Sequence, residues 1–209
     1  MGRLCAVLTL VVITGCQLSG TASRTAAPSP SPHTAVTSIV FQRNDVPSSL
    51  TSCPGSGSIA SYITTLQTSD AALARSVSTQ WLALQRGGAL EAAIAVFTSD
   101  QAACTKELGA SGAIKAATSV VLAFGDEGQA DRAWQDGLFD FTPPAPGELP
   151  PGVTRGSGTG LGPSSWTYSR APVRLASWRR SIFVALVVLT NLDGATFTTA
   201  TSAVDARLH

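Results

Sequence analysis

At 209 residues the chain suits one domain, or two small ones, and a hydrophobic fraction of 44% excludes wholesale disorder. A net charge of +1, from twelve Arg, two Lys and thirteen acids, lacks the basic surplus that phosphate binding requires, which excludes nucleic acid as a partner. Charged residues make up only 13%, against ~25% in ordinary soluble domains.

Met1-Gly2-Arg3 supplies a short positive start, and Leu4–Ile13 is an apolar run of ten residues. That length fits the hydrophobic region of a signal peptide and falls far short of the ~20 residues of a membrane-spanning helix. Ile13-Thr14-Gly15-Cys16 follows: an aliphatic residue, two small residues and a cysteine. This stretch resembles the bacterial lipobox. The resemblance implies cleavage between Gly15 and Cys16, a diacylglycerol on the Cys16 sulfur, and acyl chains such as palmitate holding the protein to the extracytoplasmic face of a membrane. Two or three chains anchor firmly where one holds only marginally. The competing reading, a buried N-terminal helix ending in Cys, is disfavoured by what comes next. From Gln17 to Thr37 the chain is mostly Ser, Thr, Ala and Pro without an aromatic residue, a composition that cannot bury enough apolar surface to offset its ordering entropy. Residues 1–15 therefore read as a lipoprotein signal peptide, 16–37 as a disordered tether and 38–209 as a single domain.

Cys5 leaves with the signal peptide and Cys16 carries lipid, so Cys53 and Cys104 remain. An extracytoplasmic setting permits them a disulfide. Closing a loop of about fifty residues would stabilise by roughly 4 kcal/mol in the chain-entropy model. Two buried free thiols are the alternative.

Along the domain, residues 41–53 are loop-like, with turn signals at Asn44-Asp45 and Pro47. Ser58 can cap a helix whose apolar residues Ile59, Tyr62, Ile63 and Leu66 fall at i, i+3, i+4 and i+7. A second helix begins after Asp70, carries Leu73, Val77, Trp81 and Leu84 on one face, and stops at Gly87-Gly88.

Two similar units follow. Ala93–Phe97 reads as a strand, with Asp100 and Gln101-Ala102 opening a helix toward Gly109; Ser119–Phe124 reads likewise, with Asp126 and Gln129-Ala130 opening a helix toward Gly137. Internal duplication and a repeated solution to strand-to-helix geometry both fit this pattern. Between Gly137 and Pro163 lies a long irregular segment with five prolines from Pro143 to Pro151 and then a glycine-rich run, in which Val153 can pair as an edge strand. Loops this long in compact domains are binding elements or disordered.

The C-terminal third reads as a meander: Ser165–Arg170, Val173–Trp178 and Ser181–Thr190, with Arg179-Arg180 at the hairpin turn. The run Ile182–Leu189 has only eight residues, so it is a central strand buried on both faces and not a membrane span. Ala195–Leu208 closes the chain as a helix with Phe197, Ala200, Val204 and Leu208 inward. The expected fold is α+β: a single, largely antiparallel sheet with helices packed on it, a C-terminal three-strand meander and a terminal helix.

The Phe-acid-Gln-Ala units, the Trp178-Arg179-Arg180 turn before an apolar strand and the closing Asp205-Ala206-Arg207 helix resemble a set of uncharacterised exported lipoproteins of actinobacteria and Chloroflexi. A second likeness is to the extracellular sensor domains of actinobacterial Ser/Thr kinases, which are small disulfide-bearing α+β modules. The kinase and membrane helix have no counterpart here, and neither resemblance supplies a catalytic residue.

Several chemistries lack their residues. Histidine occurs only at His33 and His209, so the domain interior offers none for a Ser/His or Cys/His arrangement or for the usual zinc site. G-x-S-x-G, G-x-x-x-x-G-K-[ST], S-x-x-K and C-x-x-C are absent. The run Gly156–Gly162 fails as G-x-G-x-x-G, because the sixth position falls on Leu161 or Pro163. No cofactor and no metal site is expected. Carboxylates remain, since a glycosidase needs only two. Asp126, Glu127, Asp131, Asp136 and Asp140 cluster, but they read as a helix cap and a solvated face; Arg155, Arg170, Arg174, Arg179 and Arg180 follow, and either complement that acidic helix or face an anionic glycan or lipid headgroup.

The reading that emerges is a non-enzymatic lipoprotein binding a small ligand or an envelope protein through the 139–162 loop, with Phe139, Phe141 and Arg155 as candidate contacts. Packing of both aromatics into the core is the competing account of them. Two other functions stay open: a cell-envelope hydrolase using paired carboxylates, and a sensory or structural accessory of an envelope complex.

Overall fold

A computed structural model describes residues 34–104, 114–147 and 149–208. The signal-peptide and tether readings up to residue 33, with Cys16 and His33, fall outside the described residues, as do the end of the first strand–helix unit at Gly109 and His209.

The architecture is the expected α+β: five α-helices and a largely antiparallel open sheet of eight strands. The strands are β1 (Thr51–Ser52), β2 (Gly57–Ser58), β3 (Ala89–Thr98), β4 (Ala116–Phe124), β5 (Val153–Arg155), β6 (Ser165–Arg170), β7 (Val173–Arg180) and β8 (Phe183–Thr190). Their order is β1-β3-β4-β8-β7-β6-β5, with β2 also pairing the outer edge of β3. The C-terminal meander is β6–β7–β8, and β8 lies centrally between β4 and β7 with all eight residues buried. Two-faced burial explains why that strand is a continuous apolar run.

One face is the richer in alanine, although it also carries Phe97, Trp178 and Phe183. Ala93, Ala95, Ala117, Ala123, Ala176 and Ala185 lie on it, and Ile94, Val96, Val120, Leu122, Leu186 and Val188 on the other. The alanine-rich face admits a close neighbour: the single helical turn α1 (Val36–Ile39) lies over β3 and β4, and the Phe41 N–H donates to the buried Ser119 hydroxyl at 2.7 Å. Val36 itself is buried, so core packing starts two residues before the boundary that composition suggests. The C-terminal helix α5 (Gly194–Asp205) completes this layer with Phe197, Ala200 and Val204. Its cap, Asp193, accepts the Thr196 N–H at 2.7 Å, and that bond holds the carboxyl below its ordinary pKa.

The opposite face is covered by α2 (Ile59–Ser69), α3 (Ala71–Arg86) and α4 (Glu127–Asp136). Their N-caps are the expected ones. Ser58 accepts from the Ser61 N–H, Asp70 from the Ala72 and Leu73 N–H groups, and Asp126 from the Gln129 N–H.

The expected Arg179-Arg180 turn needs correction. Arg179 and Arg180 are the last residues of β7, and the turn is Ser181-Ile182, with Ser181 at φ +51°. The strand runs on because each guanidinium finds an acid: Arg179 lies 3.7 Å from Glu127 and 3.2 Å from Asp131, and Arg180 bonds Asp205 at 2.7 Å. In the first strand–helix unit, Asp100 caps only a 3-10 turn, Gln101–Ala103, within the described residues. The two units also point their phenylalanines to opposite faces, Phe97 to the alanine-rich side and Phe124 to the other. What they share is the acidic cap.

Candidate functional site

The stapled edge comes first. Cys53 and Cys104 form a disulfide that ties the strip between β1 and β2 to the 3-10 turn beyond β3. Both residues are buried, and the Cys53 N–H donates to the Val96 carbonyl at 2.8 Å.

The candidate site lies between α3 and α4. Helical spacing puts Gln80, Ala83 and Leu84 of α3 opposite Gln129, Arg132, Ala133 and Asp136 of α4, and together they wall a cleft of about 370 Å³. Gly137, Phe139, Asp140 and Thr142 close one end of it. Further along the same stripe of α3, Leu73, Ser76, Val77 and Gln80 line a second chamber of about 220 Å³ with Tyr62, Phe139, Asp140 and Phe141. The larger volume falls in the range of small-molecule sites.

α4 holds its wall in place by burying the opposite side, Ala130 and Trp134, with the indole N–H donating to the Ser177 carbonyl at 3.4 Å. At its start, Gln129 turns back so that its Oε1 accepts the Gly125 N–H at 3.1 Å. With Oε1 so occupied, the end of the Gln129 amide with capacity to spare is its Nε2 donor.

The closing element is a two-residue turn. The Phe141 N–H donates to the Leu138 carbonyl at 2.8 Å and the Leu138 N–H to the Phe141 carbonyl at 3.3 Å, leaving Phe139 at φ +48° and Asp140 at φ +68°. Two consecutive left-handed residues define the geometry that Asn-Gly normally fills. An L side chain there costs on the order of 1–3 kcal/mol per residue, and such strain concentrates at functional sites. Gly137 makes the turn possible: at φ +95°, an added Cβ would meet the Thr142 Cα at 2.8 Å and the Phe141 carbonyl oxygen at 3.0 Å.

One side-chain bond docks the turn on α3, from Gln80 Nε2 to Asp140 Oδ2 at 3.1 Å. A carboxylate only accepts, so Asp140 fixes the orientation of the Gln80 amide. The other end of that amide, Oε1, is buried without a hydrogen-bond partner. Nearby, burial pushes the Tyr62 hydroxyl up to about 12.

The structure places Phe139 and Phe141 along this groove and packs both, half-buried, against the core. Arg155 is placed elsewhere: its guanidinium donates to the Pro144 carbonyl and sits 5.4 Å from the centre of the Trp134 ring. The acids divide three ways. Asp126 caps α4, Glu127 and Asp131 face Arg179, and Asp136 and Asp140 line the larger chamber. Arg174 is spent on the Leu192 carbonyl, so much of the basic meander serves the protein's own acceptors.

Sequence reasoning read Gln129 only as a helix-start landmark and did not single out Gln80 or Arg132, because a polar residue on one helix is indistinguishable from a solvated one until the facing helix is known. The available signal was the turn residue Asp140 two positions after Leu138 and three after Gly137. Among the described residues no cluster of three or more His, Cys, Asp or Glu could hold a metal, and no helix is long and apolar enough to cross a membrane. No family model, no curated protein and no solved structure matches this chain.

Proposed function

We propose that the chain is a lipid-anchored extracytoplasmic binding protein, non-enzymatic, which takes a small ligand in the cleft between α3 and α4. The observation that carries this reading is the cleft itself, closed by a strained turn over an unpartnered acceptor. The lipobox-like segment ending at Cys16 and the disulfide both favour an oxidising compartment outside the cytoplasm.

Two experiments test it. Cys16→Ala should abolish lipid labelling and leave the precursor uncleaved, and continued acylation would overturn the anchor. For the cleft, amide NMR of the purified protein against maltotriose, tri-alanine, spermidine and palmitate should place bound-probe shifts at Gln80, Gln129 and Phe139. Ala133→Trp, which fills the cleft, should remove them. Shifts that map elsewhere, or survive Ala133→Trp, would remove this site from consideration.

A second reading draws on Asp136 and Asp140 lining one chamber, the minimum for a carboxylate glycosidase. It requires release of new reducing ends from cell-wall glycan, lost in both Asp136→Asn and Asp140→Asn. No release by the unmodified protein disposes of it.

A further inference from the structure

The two chambers share Gln80, Phe139 and Asp140, and both lie against one continuous stripe of α3. The Phe139-Asp140 turn, bonded to Gln80 through Asp140, borders both. Three unfavourable features coincide there: left-handed Phe139, left-handed Asp140, and the buried Gln80 Oε1 with nothing to accept from. Against them stand the turn's own two backbone bonds, one exposed side-chain hydrogen bond to α3 and the partial burial of two phenylalanines; only the last two hold the turn to α3. A turn held on such terms is a strap, closed at a cost that a ligand reaching Gln80 would relieve.

The lining specifies what that ligand is. Gln80 Oε1 requires a donor, and the carboxylates of Asp136 and Asp140 accept; Arg132 and the Gln129 Nε2 donate. A hydroxyl group answers both kinds of partner from a single oxygen, where an amide needs two atoms to do so. Tyr62 and Phe141 supply flat apolar surfaces in the smaller chamber, and Phe139 borders both. One guanidinium against two carboxylates leaves the lining net negative, which disfavours an anionic ligand. Building on the cleft reading above, we infer that the groove takes a neutral oligosaccharide, which lifts the Phe139-Asp140 strap to hydrogen-bond Gln80 and so spans the two chambers.

The test titrates the purified full chain, in detergent, with neutral trisaccharides built on glucose, mannose, galactose and N-acetylglucosamine. Tri-alanine, spermidine and palmitate are the comparison probes. At least one trisaccharide should bind with shifts at Gln80 and Leu84, and the Phe141 amide, which bonds Leu138 in the closed turn, should exchange faster in the complex. Gln80→Met keeps the side-chain length and removes the acceptor, and should weaken binding about tenfold. Arg132→Ala, at an exposed helical position, should weaken binding without altering the melting temperature, which guards against misreading a folding defect. If tri-alanine, spermidine or palmitate occupies the groove and no trisaccharide does, the ligand class is wrong while the cleft stands. If no probe of any class shifts groove residues, both fall. Saccharide binding that Gln80→Met leaves unchanged, with the Phe141 amide still protected, overturns the strap.

Discussion

Tyr62 shows how one residue's surroundings translate into a measurable pH dependence. Its ring is buried at the joint between α2 and the smaller chamber, and desolvation raises its pKa from 10.0 to about 12. A proton bound more tightly in the folded state stabilises fully below the unfolded pKa, and that contribution disappears as pH climbs through the folded one. Stability should therefore fall between pH 10 and about 12. Tyr62→Phe should flatten that stretch of the curve, removing at most about 3 kcal/mol of pH dependence, read from urea midpoints. An equally steep curve in the variant would place the alkaline transition on another group. The residue was legible as an apolar helix position from its spacing to Ile59 and Leu66. Its place beside a cavity was not, because the opposing Phe139 and Phe141 lie about eighty positions away in a stretch without periodicity.

At the scale of elements, punctuation was the most readable part of the chain. Ser58, Asp70 and Asp126 stand where the apolar spacing starts, and each cap bond forms. Asp126 carries an additional duty, since α4 forms one wall of the cleft and Gln129 bonds back across the same corner. Asp126→Ala should cost about 1 kcal/mol in chemical denaturation and loosen the first turn of α4, visible as faster amide exchange at Gln129. Unchanged exchange there would mean that the Gln129–Gly125 bond holds the corner alone. The β7–β8 turn was misplaced for an identifiable reason. Ser181-Ile182 contains no Gly, Asn or Pro, whereas a charged pair beside an apolar strand looks like a loop until Glu127, Asp131 and Asp205 are seen waiting for it. The 139–162 loop was legible as irregular and aromatic, but not as a tight turn, since Phe139 lacks the preference for left-handed backbone that Asp140 has.

For the molecule as a whole, the disulfide joins residues 51 apart in sequence across the β1–β2 edge. In the chain-entropy model, reduction should remove roughly 4 kcal/mol, seen as a lower melting temperature with dithiothreitol and matched by Cys53→Ala/Cys104→Ala. Equal melting of the oxidised and reduced protein would show that the β1–β2 edge contributes little to global stability. The pairing was accessible from the sequence because the other two cysteines fall in the N-terminal segment. The layered arrangement was partly accessible: periodicity marks which residues are buried, while the division into an alanine-rich face and its opposite emerges only once strand register is known.

Arg207 is the fastener between the two ends of the described chain. Its guanidinium bonds both oxygens of Asp45, at 3.1 and 2.6 Å, and the main-chain carbonyls of Ile39 and Val40. Tension arriving through the N-terminal side of residue 39 thus meets a brace just beyond α5 before it reaches any strand. Pulled from residue 34 in an optical trap, Arg207→Ala should yield at lower force than the unaltered protein. Equal rupture forces would shift the resistance to α1 and its seat on the alanine face.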